Sequence, residues 1–134
     1  MDIRQHDLNE IALLYGKDAD PQELLELSLA RSHGTFKFLD DDDNLVAIGG
    51  VVCNPRNPGS ACIWMIGSTL LDKLSNQKMV LKRGRRLTKG YLKTFTRLWN
   101  YCSSEPSQLR SMEALGFTII DTDDPDIKKI EICA

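Results

Sequence analysis

The run Leu45-Val46-Ala47-Ile48-Gly49-Gly50-Val51-Val52 carries no polar side chain over eight residues. It is far shorter than the roughly 20 apolar residues of a membrane span. It is also too uniformly apolar for a strand with one wet face, so it reads as an interior strand covered on both sides. Two adjacent glycines inside such a strand predict a bulge or the close approach of another backbone. Ala61-Cys62-Ile63-Trp64-Met65-Ile66 is a second run of the same kind. A sheet with two such strands needs helices as cover.

The rest of the chain supplies them. Leu8, Ile11 and Leu14 form one helical stripe over residues 6–15. Asp20 can cap, and Pro21 can open, a second helix with an apolar face of Leu24, Leu25, Leu27, Leu29 and Ala30, running to about Ser32 and ended by Gly34. Thr35–Leu39 reads as a strand joined to Leu45–Val52 through Asp40-Asp41-Asp42-Asp43-Asn44, and Asn54–Gly59 has loop chemistry. The longest helix is expected at about Gln77–Phe95, with Val80, Leu87, Tyr91 and Phe95 as its apolar stripe and Gly84 on that stripe for close packing. Leu98–Cys102 is a fourth strand. Ser104 or Ser107 caps a short helix containing Leu109, Met112 and Leu115, which Gly116 stops. Phe117–Ile120 and Lys129–Ile132, joined by Asp123-Asp124-Pro125, form a last antiparallel pair. Hairpins mixed with crossovers predict an α/β (α+β) chain: one domain over 1–134, with a mixed central sheet and helices on both faces.

At 134 residues, 42% apolar and 27% charged, the composition is that of a globular domain with a real core. Met1-Asp2-Ile3-Arg4 has no signal-peptide character, and a cytoplasmic protein is expected. Cys53, Cys62, Cys102 and Cys133 are widely spaced, and His6 and His33 do not complete a zinc pattern, so free thiols and no metal are expected. The net charge of −2 hides segregation: Lys73 to Arg97 holds nine Lys and Arg and no acid, against the four-aspartate run at 40–43.

The order of elements resembles the GNAT (acyl-CoA N-acyltransferase) fold, most clearly from Asn44 to Ile120. The carrying pieces are Ala47-Ile48-Gly49-Gly50, the Trp64 strand leading into a basic helix, Leu98-Trp99-Asn100-Tyr101, and a short helix ending Leu115-Gly116-Phe117. The pairing of Ala47–Gly50 with Leu98–Tyr101 is similar to the short GNAT-like proteins of T7-type phages, the internal virion protein A group. The resemblance implies acetyl-CoA as cofactor, lying where the strands at Ala61–Ile66 and Leu98–Cys102 diverge. Met65, Ile66 and Gly67 would meet the pantetheine arm, Ser75, Asn76 and Gln77 the pyrophosphate, and Asn100 would complete the set; Tyr101 is the candidate catalytic group. A helix N-terminus favours an anion on general grounds.

The chain also departs from the family. The glycine-rich phosphate turn is missing, with no glycine between Ser68 and Leu81. Met112 stands where many GNAT enzymes carry the proton-donating Tyr, and a thioether cannot donate a proton. Glu105 stands where an Asn often opens that helix, and no acid lies between Asp43 and Asp72 to act as base. The implied function is a bacteriophage GNAT-fold protein, a degenerate acyltransferase used in binding or virion assembly, in the infected host's cytoplasm or the virion. The alternative is an active acetyl-CoA-dependent N-acetyltransferase acting on a small amine or host protein. Lys82, Arg85, Arg86, Lys89 and Lys93 share a helix face, either solvated or a docking surface for an anionic partner: the CoA 3′-phosphate, nucleic acid, or the acidic segment of a neighbouring molecule such as a phage or host protein. Nucleic acid is disfavoured because no aromatics interleave with the basic run, and no membrane contact is expected. The aspartate run is expected to be a solvated turn. Trp64 and Trp99 are expected in the core, with lining of an acyl pocket as the alternative.

Overall fold

The computed structural model describes Glu26 and residues 29–134. The helix expected over 6–15, the Asp20 cap, Pro21 and the first four residues lie outside them. One six-stranded sheet is ordered β1-β2-β3-β4-β6-β5. Its strands are β1 (Gly34–Leu39), β2 (Leu45–Asn54), β3 (Asn57–Gly67), β4 (Arg97–Ser103), β5 (Thr118–Asp121) and β6 (Ile127–Cys133). A 3₁₀ turn, Thr69–Asp72, precedes helix α1 (Leu74–Tyr91), and α2 is Pro106–Ala114. The chain falls into two compact units: the residues up to Val52 with Ile63–Val80, and Cys53–Cys62 with Leu81–Ala134.

In the first unit, β1 and β2 pair antiparallel from Gly34↔Val51 to Leu39↔Leu45. Val46, Ala47 and Val51 are at most 1% exposed, as an interior strand requires. The glycine pair answers to close approach. A Cβ on Gly49 would collide with the Trp64 carbonyl oxygen and the Phe36 ring, and one on Gly50 would stand 2.7 Å from the Gly34 oxygen. The register shift of this hairpin is elsewhere, at Phe38/Leu39. Gly34 is the first residue of β1 rather than a helix stop; the helical residues before it end at Arg31. Asp40 builds the turn: its carboxylate accepts the Asp42 and Asn44 amides at 2.9 Å each, and Asp43 takes a left-handed φ of 62°. Ile48, Trp64 and Ile66 form the core, with Leu29, Leu45 and Val52 against it. The Trp64 indole N–H donates to Ser32 Oγ at 2.8 Å.

The expected loop at 54–59 is tighter than its composition implies: only Pro55-Arg56 turn, and β3 already begins at Asn57. Helix α1 starts earlier than expected because the Lys73 carbonyl accepts both the Asn76 and Gln77 amides. It ends earlier because Lys93 and Thr94 donate to residues three back, and the Thr96 amide and hydroxyl both donate to the Gly59 carbonyl in β3. Its buried positions are Asn76, Val80, Gly84 and Thr88, one every four residues, while Leu87 and Tyr91 are only half-buried.

In the second unit, β3 and β4 run parallel through Ser60↔Arg97, Ala61↔Leu98 and Cys62↔Trp99. Strand β6 lies between β4 and β5, antiparallel to both. Helix α2 packs against β4 and β5. Leu98, Cys102 and Ile130 are buried, at 0%, 3% and 4% exposure. Gly84 does allow close packing: a Cβ on it would lie 2.8 Å from Leu115 Cδ2. The cap of α2 is Glu105 followed by Pro106, not Ser104 or Ser107; the Ser107 hydroxyl donates to the Glu105 carboxylate at 2.9 Å. Gly116 (φ 102°) stops α2 as expected: its amide bonds Glu113 O, and the Phe117 amide bonds Met112 O. The β5–β6 turn is tied by Thr122, whose hydroxyl donates to Ile127 O at 2.7 Å. No described helix is long and apolar enough to cross a membrane.

Candidate functional site

The expected cofactor residues of the first unit fall on two neighbouring stretches. Ile66 is 1% exposed in the core, Gly67 is buried and Met65 is half-buried. Strand geometry sets what their backbones can do. The Ser68 amide donates to Val46 O in β2 at 2.8 Å, and peptide groups alternate sides along a strand. Met65 and Gly67 therefore turn their N–H and C=O groups away from β2. The β3–β4 ladder stops at Cys62, so neither group belongs to it. Ser68, which sequence reasoning passed over, secures this end: at 4% exposure its hydroxyl lies 2.6 Å from Leu45 O and 3.1 Å from Val46 O. Its only signal in the sequence is its place as the first polar residue after an apolar run.

The stretch expected to hold pyrophosphate is largely occupied by the protein itself. Asn76 is 7% exposed, and its side-chain amide donates to Leu70 O at 2.9 Å. The Gln77 side chain donates to Asp72 O at 3.4 Å. With the Asn76 and Gln77 amides bonded to Lys73 O, only Leu74 and Ser75 in this first turn keep amides outside that arrangement, among the described residues. Asp72, exposed, lies two residues before α1, so a carboxylate already complements the helix dipole there. Lys73 follows it directly in the chain. Met65 and Gly67 thus keep backbone groups outside the β3–β4 ladder, whereas Asn76 and Gln77 spend theirs within the protein.

In the second unit, Asn100 and Tyr101 are half-buried. The Tyr101 amide donates to Asn100 Oδ1 at 2.6 Å, which turns that side chain onto its own backbone. The Tyr101 ring meets Trp99 edge-on, centroids 5.9 Å apart. Trp99 is not a core residue. It is half-buried, with Arg97 and Lys129 within cation–π reach at 5.7 and 5.9 Å. Arg97 also bonds Glu131 at 2.8 Å and Ser60 Oγ at 2.9 Å. Cys62 is kept protonated, since burial pushes its thiol up to about 11. Met112 lends its carbonyl to the α2 cap and has no proton to give.

On α1, Lys82, Arg85, Arg86, Lys89 and the following Lys93 are all exposed, as their shared face predicts. Arg85 is engaged: its Nε donates to Ala114 O at 2.6 Å, a cation on the C-terminal carbonyls of α2. No group of three His, Cys, Asp or Glu among the described residues is placed to hold a metal.

No protein-family model and no curated protein sequence matches the chain. Solved structures do. The acetyltransferase from Agrobacterium tumefaciens str. C58 superposes with a TM-score of 0.63 at 13% identity, covering 96% of this chain and 84% of that one. IAA acetyltransferase from Bacillus cereus gives 0.62 at 15%, covering 94% and 91%. Spermidine/spermine N-acetyltransferase SpeG from Vibrio cholerae, in complex with manganese ions, gives 0.59 at 17%, covering 99% and 90%. At such identities the likeness speaks to architecture. Together with the mixed sheet and its crossovers it establishes that this chain has the GNAT acetyltransferase-like α/β fold.

Proposed function

We propose that this chain is a GNAT-fold protein whose acetyl-transfer site has been reduced, and that it works by binding rather than by catalysis. The observation that carries the reading is the start of α1. Both the side chain and the amide of Asn76 are spent inside the protein, the Gln77 amide is spent too, and Asp72 brings negative charge to the same place. Met112 in place of a proton donor supports it further. The phage setting, in the infected cell or the virion, rests on the sequence likeness of Ala47–Gly50 and Leu98–Tyr101 to the short T7-type proteins. The exposed basic face of α1 is the surface through which a binding role would act.

One observation favours the second reading, an active acetyl-CoA-dependent N-acetyltransferase: Met65 and Gly67 aim backbone groups away from β2 beyond the last β3–β4 pair. Calorimetry with acetyl-CoA at low salt separates the two. Under the proposed function no heat is released up to millimolar ligand. Micromolar binding would overturn it, and acetyl transfer to a polyamine or to lysine peptides would then be the next assay.

A further inference from the structure

Helix α1 carries Lys78, Lys82, Arg83, Arg85, Arg86 and Lys89, all exposed, and no acidic residue. Six of their pairs stand three or four residues apart (78/82, 82/85, 82/86, 83/86, 85/89 and 86/89), and each such like-charge pair is unfavourable in a helix by itself. Solvated helices usually relieve this with interleaved carboxylates. Here only Arg85 has a partner among the described residues, the Ala114 carbonyl. A polyanion laid along the helix would relieve all six pairs together.

The chain carries a segment of that chemistry. At the β1–β2 tip the Asp40 carboxylate is spent on the Asp42 and Asn44 amides, which fixes the turn. Asp41, Asp42 and Asp43 are exposed, and their carboxylates have no partner among the described residues. The tip is thus held in shape with three carboxylates presented, so little ordering opposes docking. With a net charge of only −2, two copies repel each other weakly as wholes while their charged segments attract.

We infer that the basic face of α1 is a docking surface for the aspartate tip of a second copy of this chain, giving head-to-tail, salt-sensitive self-association. The contact uses different patches on the two copies, so it builds rings or open chains rather than a closed two-fold dimer. Other polyanions, such as a nucleic acid or an acidic segment of another protein, are the competing occupants. The inference does not depend on whether acetyl-CoA binds.

The test is sedimentation velocity at about 100 μM protein, in about 20 mM and about 300 mM NaCl, a range over which screening between exposed charges becomes strong. Four chains are compared: wild type, K82E/R86E, D41K/D42K, and the combined K82E/R86E/D41K/D42K. All four positions are exposed, and Asp40, Asp43 and Arg85 are left intact; a circular dichroism melt confirms that each variant is folded. The wild type associates at low salt and dissociates at high salt. Each double reversal weakens association at least tenfold, and the combined variant, with both charges swapped, recovers it. A wild type that stays monomeric at low salt overturns the inference. So does a D41K/D42K chain that associates like wild type, which would assign the helix to another polyanion, and so does a folded combined variant that fails to recover.

Discussion

Gly49→Ala is the sharpest test of how this sheet is built. The added methyl would stand inside contact distance of the Trp64 carbonyl oxygen and of Phe36 Cζ, and 2.8 Å from Phe36 Cε2. That last contact alone is about 0.7 Å short of the ~3.5 Å at which carbon atoms pack. The Phe36 ring could turn only by disturbing its edge-on contact with Phe38, 5.5 Å between centroids. The Trp64 oxygen is backbone on the neighbouring strand and has no rotamer to escape into. Overpacking typically costs about 1–3 kcal/mol; with backbone as the obstacle the top of that range or slightly beyond is expected, about 3–4 kcal/mol. Against this, Gly→Ala returns roughly 0.5 kcal/mol through the unfolded chain. The net loss is about 3 kcal/mol, a large part of the ~5–15 kcal/mol that holds such a domain. For a chain of this length it corresponds to a fall of roughly 10 °C in Tm. Urea unfolding at 25 °C and a thermal melt measure it directly, with F36A/G49A as companion. Measured against F36A alone, adding G49A should cost less than it does in wild type but still something, because the Trp64 oxygen remains. A Gly49→Ala protein within about 1 kcal/mol of wild type would refute the close-approach account of the glycine pair.

Gly90 lies in α1 with nothing within 4 Å of a Cβ placed on it; Gly90→Ala should stabilise by about 0.5–1 kcal/mol in the same urea assay. Arg85→Ala removes the donor on Ala114 O and should cost roughly 0.5–1 kcal/mol at this exposed site, with little recovery by Arg85→Lys, which lacks the Nε geometry. The Asp40 carboxyl is held below its ordinary 3.8, first by the Asn44 amide and also by the Asp42 amide. A depressed carboxyl stabilises above its unfolded value and loses that effect as pH falls through its folded value. The Tm advantage of wild type over Asp40→Ala should therefore be full at pH 5–7 and shrink below about pH 4. Iodoacetamide mapping by mass spectrometry at pH 8 should modify exposed Cys133 well before Cys62, whose thiol, pushed up to about 11, holds only ~0.1% thiolate there.

Much of the fold was legible in the sequence because local chemistry spoke for it. Two apolar runs marked interior strands, Gly116 after Leu115 marked the end of α2, and the aspartate run with Asn44 marked a turn. The misreadings share a cause. Asn54–Gly59 looked like a loop because Pro, Asn and Gly dominate it, yet β3 begins at Asn57, where the Thr96 amide and hydroxyl reach the Gly59 carbonyl from the far end of α1. Helix α1 starts earlier than its periodicity predicts because its stabilising bonds come from Lys73 and Leu70, outside any helical pattern.

What the sequence determined by itself, then, is whatever depends on spacing along the chain: which segments form strands or helices, where charge collects, which residue types a site would lack. Tertiary structure decided what depends on partners distant in sequence. It inserted β6 between β4 and β5. It exposed part of Trp99 beside Arg97 and Lys129. It buried Ser68, a polar residue just past the end of β3, because Leu45 and Val46 in β2 offer carbonyls to its hydroxyl. A polar group can be taken from water wherever a hydrogen-bond partner replaces it, and that partner is visible only once the chain is folded.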